Sequence, residues 1–276
     1  MRMKYYLFLK FTSNFIKLFS LIKKKIFQII YVLKFLILNN DYGKYKKEVL
    51  NFEDGVRKQL SSDYSITFSS ATAAFDSLII SLNLPKKAKV LTTELIFNTF
   101  YLNLLSHNLT LEIIQLDENF QIPNNYDLSQ EKCDLIIITH PFGIIKKFEI
   151  LRKFAKKNKI KIIEDCSHAI GGKINLKNVG SESDYRIFSI GGKIISGGEG
   201  GVLLTNSKDS YNKIISISHP FRKNFQLNIK NEFYLRFSSP KKYRINPINV
   251  VLALYDFKRY HRFNFSMNKI INNLNK

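Results

Sequence analysis

Residues 160–169 read Ile160-Lys161-Ile162-Ile163-Glu164-Asp165-Cys166-Ser167-His168-Ala169. A short β-branched run that ends in acids and small polar residues predicts a buried strand, Ile160–Ile163, with a turn after it. Ligands of parallel sheets bind just past the carboxyl ends of the strands. An acid at that place, Asp165, has the chemistry to pair with a protonated ring nitrogen. His168, three positions on, would face the same ligand. A capping Asp beside a satisfied core histidine explains the same residues, and the stretch alone leaves both readings open.

Similar runs lie on both sides. Tyr64–Phe68, Lys89–Thr92, Leu111–Leu116, Asp134–Thr139, Tyr185–Ile190 and Gly201–Thr205 read as further strands. Helix-length segments with apolar residues at helical spacing, Thr72–Leu82 and Lys146–Lys157, separate several of them. Strand–helix alternation over this distance predicts an α/β body of three layers, with a mostly parallel sheet covered on both faces.

Two further stretches follow predicted strands. Ser69-Ser70-Ala71-Thr72-Ala73-Ala74 puts small residues and hydroxyls at a helix start, where free N–H groups can hold an anion. An ordinary N-cap accounts for it equally well. Phe188 to Gly201 holds six of the chain's twelve glycines, with Lys193 in its middle. Glycine at that density marks tight turns and close backbone approach. A lysine among glycines and apolar residues, after a buried strand, suits an amine nucleophile. An anion cradle, a carboxylate for a ring nitrogen and an amine for an aldehyde together form the set that pyridoxal phosphate requires. Phe97, past the strand ending near Thr92, would supply a ring to stack on it.

The chain has 276 residues and a net charge of +21. The charge is terminal: residues 1–40 carry +8 with no acid, residues 211–276 carry +11, and the stretch between carries +2. A 45% hydrophobic content excludes disorder as the main description, and two cysteines exclude a disulfide framework. No metal-ligand spacing is present. In residues 1–40 nearly every position from Phe15 to Leu38 is apolar or Lys, and the longest charge-free run, Ile26 to Leu33, is too short to span a bilayer. This arm is expected to be a basic helix lying on a membrane surface, at the inner face of a cytoplasmic membrane. Packing on the body or on a partner subunit is the alternative, and a secretory signal lacks its cleavage site.

The chain resembles the DegT/DnrJ/StrS family of pyridoxal-phosphate-dependent sugar aminotransferases, which have the fold-type-I architecture. Ser70-Ala71-Thr72-Ala73-Ala74 is similar to the family's Ser-Gly-Thr-Ala-Ala phosphate turn. Thr139-His140-Pro141-Phe142-Gly143 resembles its His-x-aromatic-Gly segment, and Glu164 to Ala169 its Glu-Asp-x-x-His/Gln-Ala signature. Gly198-Glu199-Gly200-Gly201 and Tyr243-Arg244-Ile245 also match. Departures are three residues rather than four between Ser189 and Lys193, Ser218-His219-Pro220 in place of Asn-His-Gly, and a short C-terminal part.

The resemblance implies that pyridoxal 5'-phosphate is the cofactor. Lys193, Asp165 and His168 are the implied catalytic residues: Lys193 links the cofactor and shuttles a proton, Asp165 pairs with the pyridine nitrogen, and His168 contacts the ring hydroxyl side. Phe97 would stack on the ring, and Ser70, Ala71, Thr72 and Ser189 would hold the phosphate. The implied reaction moves an amino group from an amino acid, with glutamate expected, to a nucleotide-linked keto-sugar for surface polysaccharides such as lipopolysaccharide. A homodimer is implied as well. The expected organisation is an arm at 1–40, a cofactor-binding large domain at 41–210, and a helical remnant of a truncated small domain at 211–276, with a helix over Asn246–His261. A catalytically impaired scaffold or partner subunit, docked on a membrane, is the competing reading. Nucleic-acid binding has no motif in its favour. His107 is expected on a loop surface.

Overall fold

The computed structural model describes residues 22–23, 25–30, 32–33, 42–123, 125–193, 195–219 and 241–274; side chains are described for all of these except 42–46, 130 and 261–274. The rest of the 1–40 arm, and residues 220–240 with Pro220, lie outside the described residues.

Seven strands build one sheet. They are β1 (Tyr64–Phe68), β2 (Lys89–Thr93), β3 (Thr110–Ile114), β4 (Leu135–Thr139), β5 (Lys161–Asp165), β6 (Tyr185–Ser189) and β7 (Gly201–Thr205). Their spatial order is β1-β7-β6-β5-β4-β2-β3. The pairs β6/β5, β5/β4, β4/β2 and β2/β3 are parallel, and β7 is antiparallel to both β1 and β6. Six strands therefore end on one edge, where β7 begins. A small hairpin, Lys173–Ile174 with Lys177–Asn178, stands apart from the sheet.

Helices α1 (Tyr42–Gln59), α2 (Ala71–Leu82), α3 (Asn98–Ser106), α4 (Glu149–Asn158), α5 (Lys208–Ser218) and α6 (Pro247–Leu274) connect and cover the strands. Every residue of β4 is buried, as a strand covered on both faces demands. Its alternate residues belong to different layers. Ile137 joins Phe75, Leu78, Val90, Ile163 and Ile187 on the α2 side. Ile136 and Ile138 join Leu91, Leu151 and Ile162 on the α4 side. The layered α/β fold with a mostly parallel sheet is the one expected. Most element boundaries move by a few residues: α4 starts at Glu149 rather than Lys146, because Phe148 sits in the left-handed region at φ 47°, whereas α6 runs on to Leu274, well past the expected end at His261. α6 opens with Pro247, whose missing N–H costs nothing in a first turn.

Packing joins the C-terminal helix to the body. Phe52 and Val56 of α1, Phe188 of β6, Val202 of β7, and Val250, Ala253 and Phe257 of α6 form one core. Phe52 meets Phe257 edge to face, with centroids 5.8 Å apart. Two buried polar groups seal the same region. Glu53 accepts the N–H and hydroxyl of Thr67 at 2.8 and 2.9 Å, covering the open edge of β1. Arg186 donates to Leu60 O and Ser61 O at 2.6 and 3.1 Å, completing the carbonyl end of α1. Gly180, at φ 77°, makes room for it, since a Cβ there would lie 2.6 Å from the Arg186 side chain.

Phe52 is fully buried. Phe52→Ala is expected to cost about 3–5 kcal/mol in urea unfolding. A cost below about 1 kcal/mol would mean that α1 and α6 do not share a core.

Candidate active site

The strand ends enclose a cavity of about 550 Å³. Ser70, Ala71, Thr72, Phe97, Asp165, His168, Ser189 and Lys193, the eight positions singled out in the sequence, all line it. Topology explains the convergence. Residues after β1, β2, β5 and β6 reach the same edge, and β5 and β4 are in register there, Asp165 opposite Thr139.

The floor is the start of α2. Ser70 is its N-cap: the hydroxyl accepts the Ala73 N–H at 3.0 Å. The capping reading and the cradle reading therefore hold together, since the cap leaves the N–H groups of Ala71 and Thr72 without intrahelical partners. Gly201 allows this geometry. A Cβ on it would lie 2.5 Å from both Ala71 N and Ser70 O. Thr72 Oγ1 contacts Thr99 Oγ1 of α3 at 3.1 Å, and the Ser189 hydroxyl accepts the Gly191 N–H at 3.2 Å. The floor thus combines a helix N-terminus, which attracts anions, with hydroxyls.

Asp165 closes the opposite side. It is buried, and its Oδ1 accepts the Ser167 N–H at 3.0 Å. Burial pushes its pKa up, and the hydrogen bonds from Ser167 offset part of that push. Asp165 lines the cavity, and a cation there would offset the cost of burying its carboxylate.

His168 and Lys193 are coupled. Lys193 Nζ lies 2.7 Å from His168 Nε2, and His168 Nδ1 accepts the backbone N–H of Phe142 at 3.1 Å. Because Nδ1 accepts that N–H, Nε2 is the ring nitrogen that His168 turns to Lys193. Phe142 reaches this position at φ 56°, a rare region for a residue with a side chain. Its ring is 77% exposed at the cavity rim. Phe97 is 54% exposed and packs edge to face on Phe100.

Behind the cavity lies a network that the sequence reading missed. Glu164, the residue before Asp165, is fully buried. Its Oε1 pairs with His140 Nε2 at 2.7 Å, and its Oε2 with Arg152 at 2.7 Å and with the Ser183 hydroxyl. Burial pushes the Glu164 pKa up, but His140, Arg152 and Ser183 outweigh it and hold the carboxyl at about 2. His140, Glu164 and Cys166 bring potential metal-ligating atoms within 4.8 Å of one another. Arg152 already supplies the cation there. Only the alternation of the strand hinted at this role, since Glu164 must face away from Asp165.

A second cluster corrects the expectation for His107. It lies in the turn after α3 as expected, but its side chain is half-buried, with ring Nε2 2.8 Å from Asp76 Oδ1. Asn103 and the Tyr243 hydroxyl donate to the same carboxylate at 2.8 and 2.9 Å. Burial pushes Asp76 up, and these three partners pull it down to about 2. Asp76 thereby ties α2, α3 and the 241–246 segment around the cavity. His219 is buried edge-on against Phe68, with Nδ1 2.7 Å from the Ser218 hydroxyl.

The model of the DegT/DnrJ/EryC1/StrS aminotransferase family matches residues 31–276. GDP-perosamine synthase of Escherichia coli O157:H7 is 27% identical over 60% of this chain and 47% of its own length. UDP-4-amino-4,6-dideoxy-N-acetyl-beta-L-altrosamine transaminase of Helicobacter pylori is 26% identical over 81% of this chain and 60% of its own. Among solved structures, the Helicobacter pylori aminotransferase PseC superposes with a TM-score of 0.72 at 23% identity, covering 84% of this chain and 62% of that one. The E. coli GDP-4-keto-6-deoxy-D-mannose-3-dehydratase, solved with bound hydrated pyridoxal phosphate, has a TM-score of 0.72 at 19% identity, with 86% and 66% covered. The chain spans about half to 60% of the length of the curated relatives it matches.

The Glu164 network predicts an acid dependence. The folded pKa of about 2 lies below the ordinary 4.5. The pairing therefore stabilises fully above pH 4.5, and its contribution falls as pH drops from there toward 2. Its loss is on the order of 3 kcal/mol. Denaturation across this window should show a steep fall in stability, and Glu164→Gln should be less stable near neutrality and lose that part of the slope. An unchanged slope would remove Glu164 as its source.

Proposed function

Because the chain belongs to the DegT/DnrJ/EryC1/StrS aminotransferase family, we propose that it is a pyridoxal-phosphate-dependent aminotransferase. It moves an amino group from an amino acid, with glutamate as the donor, to a nucleotide-linked keto-sugar used for surface polysaccharides. The observation that carries this reading is the single cavity shared by Lys193, Asp165, His168 and the start of α2.

The residues fit the cofactor. The Ala71 and Thr72 N–H groups, the positive end of α2 and the Ser189 hydroxyl suit a phosphate. The Asp165 carboxylate would pair with a protonated pyridine nitrogen, and that partner would oppose the upward push of burial on the carboxyl. Phe97 offers its exposed face to the ring. When bound, pyridoxal phosphate supplies an electron sink for the carbon that loses its proton. The chain's part is to hold and move that proton at Lys193 Nζ. His168 keeps the amine oriented through Nε2, and Phe142 keeps His168 oriented through Nδ1. The partners in this reading are a nucleotide-sugar, an amino acid and a second copy of the chain, in the cytoplasm.

The spacing of three residues between Ser189 and Lys193 favours one other reading, a body that binds the cofactor without turnover. A displacement of about 1 Å at a reacting group costs about a hundredfold in rate. An absorbance titration of the purified chain separates the two. Wild type should acquire a band near the visible edge with pyridoxal phosphate, and the band should be absent in Lys193→Ala. Added glutamate should bleach it in an active enzyme and leave it unchanged in the inactive body. Failure to take up the cofactor would end both readings. Gly201→Ala, which sets a Cβ against Ala71 N, should weaken cofactor binding at least about tenfold.

A further inference from the structure

The described residues of the N-terminal arm, 22–23, 25–30 and 32–33, are helical. Their large apolar side chains face solvent: Ile22, Ile26, Ile29, Ile30 and Leu33 are between 47% and 57% exposed. At the α-helical repeat these five occupy one arc of about 100°. Gln28 lies on the far side, while Lys23 and Lys25 flank the arc, with Phe27 and Val32 just beyond them. Among the described residues none of these five joins a buried cluster, so the stripe has no apolar partner there.

Charge identifies the occupant. Residues 1–40 carry eight basic side chains and no acidic one, whereas 41–210 are nearly neutral. An apolar stripe flanked by lysines suits a bilayer interface, where the isoleucines enter the acyl boundary and the lysines extend their ammonium groups to anionic headgroups. Spanning is excluded for the described helices: none is long and apolar enough to cross a membrane. We propose that this helix docks the protein in the plane of an anionic lipid surface. Burial of the stripe supplies the attachment, and each lysine near the surface adds about fivefold in partition. None of the described arm residues lines the cavity, and the proposal does not depend on the chemistry assigned there.

Vesicle flotation of the full-length protein tests it. Wild type should float with vesicles of equimolar phosphatidylcholine and phosphatidylglycerol, and at least about tenfold less with phosphatidylcholine alone. Lys23→Gln with Lys25→Gln should lower binding to the anionic vesicles about thirtyfold. Ile26→Asp with Ile29→Asp should abolish flotation, with an unchanged circular-dichroism melt showing that the body is folded. Wild type that stays unbound to both vesicles would overturn the proposal. So would flotation that survives the aspartates, or an oligomer in the absence of lipid that only the aspartates dissociate, because the stripe would then be a protein interface.

Discussion

Neighbouring residues of a β-strand face opposite sides of the sheet, and at the end of β5 that alternation separates two carboxylates. Glu164 enters the α4 side and Asp165 enters the cavity. The two experience opposite fates in the same low-dielectric interior. Glu164 is surrounded by His140, Arg152 and Ser183 and is held ionised. Among the described residues Asp165 receives hydrogen bonds from Ser167 alone, and burial drives it upward. One is finished by the protein and the other awaits a cation. A slip of one residue in the register of β5 that moved Glu164 into the place of Asp165 would put the structural carboxylate in the cavity and bring Ile163 beside Arg152.

The other side of the cavity depends on a comparable division of labour. Asp76 does not line the cavity, yet it gathers Asn103 of α3, His107 just after that helix and Tyr243 of the segment before α6. The same segment accepts the Ser69 N–H through Tyr243 O at 2.8 Å, one residue from the cap of α2. The anion-binding helix start is thereby fixed from behind by a charged hub and from the front by the absence of a side chain at Gly201. Neither device touches a ligand. Both decide where the Ala71 and Thr72 N–H groups point.

Much of this was legible in the sequence, and for a definite reason. β1 and β7 are found where their apolar runs predict, and all eight candidate residues reach one cavity, because each follows a strand and parallel strands end together. What sequence concealed were partnerships between distant positions. Arg152 with Glu164, Asp76 with His107 and Tyr243, and Glu53 with Thr67 pair residues brought together by layer packing, and no local pattern announces them. His107 read as a surface histidine because its neighbours are polar and the chain turns there. Its actual partner lies one helix earlier. The αL residue Phe148 likewise shortened α4 with no glycine or asparagine to mark the break.

The loop that carries Lys193 shows how a departure in spacing can be absorbed. Ile190 closes it at the base, donating its N–H to Gly200 O at 3.0 Å and accepting the Gly197 N–H at 2.8 Å. Gly192, at φ 63° with open space around it, turns the chain immediately before the lysine. A loop pinned at its base and pivoting on glycine sets the direction of its side chains locally, so the count of residues after Ser189 matters less than the turn. Lys193 consequently meets His168, which belongs to the end of a different strand and is itself held by the strained Phe142. The position of the amine is thus fixed from two independent directions. A rigid lysine carrier on the strand itself would have made the missing residue a displacement of the reacting atom; a closed glycine loop converts it into a difference in loop shape.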